Sequence, residues 1–180
     1  MKNDKLEKLI LTALMIALVC VATMVIHIPT VAGYANLGDG LVLLSAFLLG
    51  PWDGLLAGGL GSALADLLSG YAYYVPGTLL IKGGMALLAA LLLRSLHGSG
   101  GRLTLPRTVT SAVPAELFMA AGYFLYKAFI LGRFESALTS IPSNLMQGLV
   151  GVVVAVALTH ALAAVPALRQ HFWKGSNGYV

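Results

Sequence analysis

The chain has 180 residues, of which 58% are hydrophobic and 10% charged, with a mean hydropathy of +0.88. A soluble domain carries about 25% charged residues, so this composition excludes a water-covered globular surface, a disordered chain and a disulfide-stapled secreted module. The net charge of +4 fits basic loops flanking membrane spans better than nucleic-acid binding, and the length leaves room for roughly six helices of ~20 apolar residues each.

Residues 1–8 carry Lys2, Lys5 and Lys8 ahead of an apolar run, 9–28, that is too long for a signal peptide and lacks an A-x-A cleavage site. This run is predicted to be the first span. Residues 29–37 are predicted to form a loop, and 38–49 a short second helix. Gly50-Pro51-Trp52-Asp53 reads as a tight turn, with Asp53 capping a third helix over 53–69. An uncharged aromatic loop with Tyr71, Tyr73 and Tyr74 follows. The fourth helix is predicted over 76–97, opening at Pro76, the fifth over 107–131 with Pro114 inside it, and the sixth over 136–165 with Pro142 near its start. The expectation is a single all-α domain, 1–180, that crosses the membrane as a bundle of six transmembrane helices. With the N-terminus inside, the inner segments hold Lys2, Lys5, Lys8, Arg94, Arg102, Arg107, Arg169 and Lys174, whereas the outer loops hold Arg133. That bias puts both termini in the cytoplasm.

Ionisable groups in hydrocarbon cost about 2.5–3.5 kcal/mol on insertion scales, so they face a cavity or a partner. At about 1.5 Å per residue, Asn36, Asp39, Asp66, Tyr74, Lys82, Tyr123, Lys127, Asn144 and Gln147 fall at one depth, on the outer side, from five elements. Such a convergence points to an outward-facing pocket for a small polar, aromatic ligand, with tyrosines for stacking and amides, lysines and carboxylates for orientation. Plain interhelical ion pairs (Asp66 with Lys82, or Asp39 with Lys127) and amide hydrogen bonds from Asn144 and Gln147 are the competing readings. Glu116 stands near mid-membrane, with no role assigned. His27 and His160 are isolated and read as structural, so neither a metal nor another cofactor is expected; the single cysteine, Cys20, reads as a small buried hydrophobe.

Small residues make two further patterns. Ala13 and Ala17 form an A-x-x-x-A pair on the first helix. Gly54, Gly58 and Ser62, beside Ala57, Gly61 and Ala65, make two strips on the third. Each opens a flat surface where another helix can approach. The sequence has no phosphate-binding G-x-x-x-x-G-K-[ST] loop, no H-E-x-x-H and no G-x-S-x-G. Asp39 and Asp66 could in principle form an intramembrane aspartyl dyad, and a self-sufficient transporter or channel would require polar groups in both membrane halves.

The six short spans, the Ala13-x-x-x-Ala17 pair, and the stretch Tyr34-Ala35-Asn36-Leu37-Gly38-Asp39-Gly40 running into Gly58-Gly59-Leu60-Gly61-Ser62-Ala63-Leu64-Ala65-Asp66-Leu67-Leu68-Ser69-Gly70 resemble the substrate-binding S component of an energy-coupling factor (ECF) vitamin transporter. The resemblance is greatest to the branch assigned to hydroxymethylpyrimidine, pyridoxine and related thiamine-type precursors. It implies a multi-pass protein of the bacterial cytoplasmic membrane, not an enzyme. Such a protein binds a small-molecule vitamin near the outer face and works with an ECF transmembrane scaffold subunit and two cytoplasmic ATPase subunits. It also implies that Ala13 and Ala17 face the scaffold. The missing phosphate loop then follows, because the energy comes from partners.

Overall fold

A computed structural model describes residues 2–25, 27–30, 33–97 and 103–165; Arg102, Arg169, Lys174 and the side chains of Lys2 and His27 lie outside what it describes. The helices are α1 (Lys2–Val25), α2 (Gly38–Leu49), α3 (Pro51–Leu68), α4 (Val75–His97), α5 (Leu105–Leu125), α6 (Phe134–Thr139) and α7 (Ile141–Ala163). Four stretches, 5–25, 75–96, 105–130 and 134–163, are long and apolar enough to cross a membrane.

Four boundaries differ from the sequence reading. The smallest difference is that the third helix opens at Pro51, so that Asp53 lies in its first turn and does not cap it. The first helix stops at Val25, not at residue 28, and the expected loop is a two-stranded antiparallel hairpin of β1 (His27–Thr30) and β2 (Gly33–Asn36). Pro29 has no amide hydrogen to continue a helix, and it restricts Ile28 to extended backbone. The fifth helix ends in a π-helical turn, Tyr126–Ile130, closed by Leu131 N–H donating to Tyr126 O at 3.0 Å. The expected sixth helix breaks at Ser140 into α6 and α7, because Pro142 suits a first helical turn and not an interior one.

Helix α2 is buried on nearly every side and packs on α1, α3, α4 and α7. Val42, Leu43 and Phe47 of α2 meet Met85 and Leu93 of α4 and Met119 of α5 in the core. The small-residue strips of α3 serve internal packing. A Cβ on Gly61 would lie 2.7 Å from the Ile16 carbonyl oxygen of α1, and one on Gly54 would lie 2.8 Å from the Ala46 Cα of α2. Such contacts let backbones touch where no hydrophobic force drives helices together in lipid. The outer surface is greasy, with Leu9, Leu14, Leu80, Leu149 and Val153 exposed, as a lipid-facing belt requires. Ala13 and Ala17 share the exposed face of α1. Lys8 on α1 pairs with Asp53 at the start of α3, which ties the end of the bundle where α2 finishes.

Candidate functional site: a polar cavity above the short helix

Toward the Lys8–Asp53 end several buried hydroxyls are satisfied locally, whereas that of Thr159 has no partner among the described residues. Ser45 donates to Val42 O (2.7 Å), Ser111 to Thr108 O (3.0 Å) and Thr108 to Leu105 O (2.9 Å), each within its own helix. Thr108 also contacts His160 Nε2 at 3.2 Å, linking α5 to α7. Toward the other end the polar groups bond across helices and surround a cavity of about 560 Å3, within the usual range for small-molecule sites.

The network beneath the cavity starts at the first turn of α2. The Asn36 side-chain oxygen accepts the Gly38 N–H at 2.9 Å, an Asx-type turn that launches the helix. Asn36 Nδ2 donates to Gln147 Oε1 (3.3 Å), and Gln147 Nε2 donates to Asp39 Oδ2 (2.8 Å). Lys82 Nζ donates to Asp39 Oδ1 and sits 5.4 Å from the Tyr123 ring centroid. The Asp39–Lys82 ion pair is almost completely buried. It replaces both pairings considered from sequence, because Asp66 instead accepts from Thr78, whose hydroxyl lies 3.0 Å from Tyr123 Oη. Asp39 and Asp66 are thus committed to different partners and form no aspartyl dyad. Glu116 is buried beside Gly148 and Gly151 on α7, and neither of its carboxylate oxygens has a hydrogen-bond partner.

Glycines make this crowding possible. A Cβ on Gly151 would lie 2.9 Å from Asp39 Cβ and 3.2 Å from Glu116 Cδ. On the opposite side, Gly58 lets the Lys82 carbonyl of α4 come within 3.2 Å of where a Cβ would stand.

One wall is aromatic. Tyr73 and Tyr74 meet at a tilt of 42° with centroids 4.7 Å apart, Tyr71 meets Tyr73 edge-on at 6.4 Å, and Tyr126 lies 6.2 Å from Tyr74. Tyr126 Oη donates to Tyr73 O at 2.8 Å, so the π-helical turn holds the tyrosine loop. Gly77 leaves room for the Tyr126 ring, which lies 2.7 Å from where a Cβ would sit. Burial pushes the Tyr74 phenol above its ordinary 10.0, so it stays a neutral hydroxyl.

Asn36, Tyr74, Lys82, Tyr123, Lys127, Asn144 and Gln147 all line this one cavity, whereas Asp39 lies behind Lys82 and does not. Asp66 is a lining residue as well. Sequence reasoning missed Thr23, Ser62, Thr78 and Arg133, and the hydroxyls of Ser136, Thr139, Ser140 and Ser143. Thr23 and Ser62 have no hydrogen-bond partner for their buried hydroxyls. Small hydroxyls in apolar helices look like packing residues, and only their position beside a hollow marks them.

The model of the family described as "ECF-type riboflavin transporter, S component" matches residues 3–164. A Pyrococcus woesei protein, described as an uncharacterized protein in the gap 3′ region, is 33% identical over 146 residues, covering 80% of this chain and 93% of its own. The thiamine precursor transporter HmpT of Lactococcus lactis subsp. cremoris (strain MG1363) is 29% identical over 162 residues, covering 88% of this chain and 89% of its own.

Proposed function

The chain belongs to the family of ECF-type riboflavin transporter S components, and from that premise we infer that its cavity captures a thiamine-type precursor such as hydroxymethylpyrimidine, with pyridoxine and thiamine as near chemical relatives. The protein is a multi-pass membrane protein and the substrate-binding subunit of a vitamin or vitamin-precursor transporter, within a family of transport components, not of enzymes. One observation carries the substrate reading: α3, α4, α5 and α7 and the turn before α2 aim amides, hydroxyls, a lysine and tyrosines into one cavity. A flat nitrogen heterocycle needs that combination, a ring face for stacking and directed donors and acceptors around its edge. The Lactococcus relative's name, thiamine precursor transporter, supports the pyrimidine. The family's description, which names riboflavin, makes the flavin the competitor.

In this reading Asn36, Tyr74, Lys82, Tyr123, Lys127, Asn144 and Gln147 contact the ligand, and Asp39 fixes the Lys82 ammonium from behind. The cavity opens outward and both termini are cytoplasmic. Ala13 and Ala17 meet the transmembrane scaffold subunit, which couples the chain to two cytoplasmic ATPases. The test is binding of hydroxymethylpyrimidine and of riboflavin to the purified chain by calorimetry, with mass spectrometry of whatever co-purifies. Saturable binding of the pyrimidine, weakened by Asn144→Ala, supports the reading. Tight binding of riboflavin with none of the pyrimidine overturns it.

A further inference from the structure

The cations of the cavity are not equivalent. Lys82 at the floor is spent on Asp39. Lys127 and Arg133, which line the same cavity, have no carboxylate partner among the described residues. Lys127 Nζ reaches only a backbone oxygen, Ser136 O, at 3.4 Å, and the Arg133 guanidinium lies 5.5 Å from the Tyr73 ring centroid. The two residues are held together, since Arg133 N–H donates to Lys127 O at 3.0 Å, closing the loop after the π-helical turn. Facing them along α6 and the first turn of α7 are the hydroxyls of Ser136, Thr139, Ser140 and Ser143. Three of these donate to carbonyls of their own helix, Thr139 to Ser136 O, Ser140 to Ala137 O and Ser143 to Ser140 O, and a hydroxyl can rotate to a better acceptor.

Two neighbouring cations repel each other, and the Tyr73 ring face near Arg133 offsets this only modestly, by about 0.5–1 kcal/mol, without neutralising either charge. They are satisfied by a group with several acceptor oxygens and more than one negative charge. A guanidinium fork, an ammonium and a row of hydroxyls match a phosphate better than they match a ring edge. Asp66 is the carboxylate among the cavity-lining residues, and it is already held by Thr78.

We propose that Lys127, Arg133 and the hydroxyls of Ser136, Thr139, Ser140 and Ser143 form an anion subsite at the cavity mouth, so that the protein takes the phosphate monoester of its heterocyclic ligand in preference to the free alcohol. This rests on the reading that the cavity binds such a heterocycle at all. It gives the ligand two ends, a flat ring toward Tyr123 and Gln147 and a dianion toward the rim.

The test compares two pairs of ligands on the purified, full-length chain: hydroxymethylpyrimidine against its monophosphate, and riboflavin against its 5′-monophosphate. The expected result, in at least one pair, is about tenfold tighter binding of the ester, with an advantage that shrinks as ionic strength rises and with inorganic phosphate competing against the ester but not the alcohol. The readout in variants is the ester-to-alcohol ratio, so a general loss of affinity cancels. Lys127→Gln with Arg133→Gln should bring the ratio close to one, and the charge-keeping Lys127→Arg with Arg133→Lys should restore most of it. The salt and phosphate measurements need no variant and decide the matter even where the double substitution fails to fold. Equal or weaker binding of both esters by a protein that binds hydroxymethylpyrimidine overturns the subsite and leaves the substrate reading intact; the same result in a protein that binds riboflavin alone overturns both. Binding of neither ligand pair overturns both. An ester advantage present in nanodiscs of neutral lipid and abolished in anionic lipid assigns the two cations to lipid headgroups and also overturns the proposal.

Discussion

Replacing Lys82 by Met should be the most damaging conservative change in the bundle. The ammonium and the Asp39 carboxylate are 5% and 1% exposed, so neither can turn to water. Without Lys82, Asp39 keeps the hydrogen bond from Gln147 at 2.8 Å but loses its ion-pair partner. Stranding a buried charge in this way costs about 3–5 kcal/mol. Asp39→Asn removes the carboxylate charge but keeps an amide oxygen that can still accept from Lys82 Nζ, so its cost should be smaller, about 1–3 kcal/mol for imperfectly paired donors. The double variant leaves no stranded cation and should cost clearly less than the two singles added together, by about 1 kcal/mol or more. Unfolding of the purified protein in mixed detergent–SDS micelles, followed by tryptophan fluorescence, measures all three. A Lys82→Met cost under about 1 kcal/mol, the range of an exposed pair, or strict additivity in the double variant, would refute a buried, mutually dependent network.

Three further outcomes follow from the same geometry. Gly151→Ala places a methyl 2.9 Å from Asp39 Cβ and 3.2 Å from Glu116 Cδ; it should lower stability by about 1–3 kcal/mol through overpacking and weaken ligand binding, both read in one thermal-shift titration. Ser62→Ala removes a buried hydroxyl that has no partner, so stability should stay level or rise slightly while ligand affinity falls, as calorimetry would show. Ala17→Leu adds bulk to the exposed face of α1 and should abolish uptake in cells that supply the scaffold and ATPases, with ligand binding by the isolated chain retained; loss of binding would put Ala17 in internal packing instead.

Much of this was legible in the sequence because lipid makes polarity informative. A lysine or amide within an apolar run must face something polar, so depth alone grouped Lys82, Tyr123, Lys127, Asn144 and Gln147, all of which line one cavity. Pairing was not legible. Asp39 and Lys82 are separated by 43 residues, and no periodicity says which acid meets which lysine. The hairpin at residues 27–36 was hidden for a different reason: His27 and Ile28 extend an apolar run, and hydropathy cannot tell the end of a helix from a strand that follows it. The π-helical turn left no mark either, because Tyr126–Ile130 reads as ordinary helix; one residue more per turn changes which side chain faces inward without changing composition. Arg133 fell in the short loop expected between the fifth and sixth helices, and Ser136, Thr139, Ser140 and Ser143 fell inside the expected sixth span, where small hydroxyls read as packing.

The cavity itself has a simple origin in chain length. Helix α2 has 12 residues, which is about 18 Å at 1.5 Å per residue. A hydrocarbon core is about 30 Å thick, so a helix of that length starting from one face leaves about 12 Å of its column unfilled. α2 finishes at Gly50, beside the end tied by Lys8 and Asp53, so the unfilled part lies above Gly38. Its surroundings, α3, α4, α5 and α7, continue past that level and would expose bare backbone and apolar side chains to a void. They present hydroxyls, amides and charges there instead, and Asn36 forms part of the floor. The bundle therefore owes its binding capacity to a missing half-helix, not to an added domain. Extending α2 upward by one apolar turn between Asn36 and Gly38 should close the hollow, raise stability and end ligand binding together.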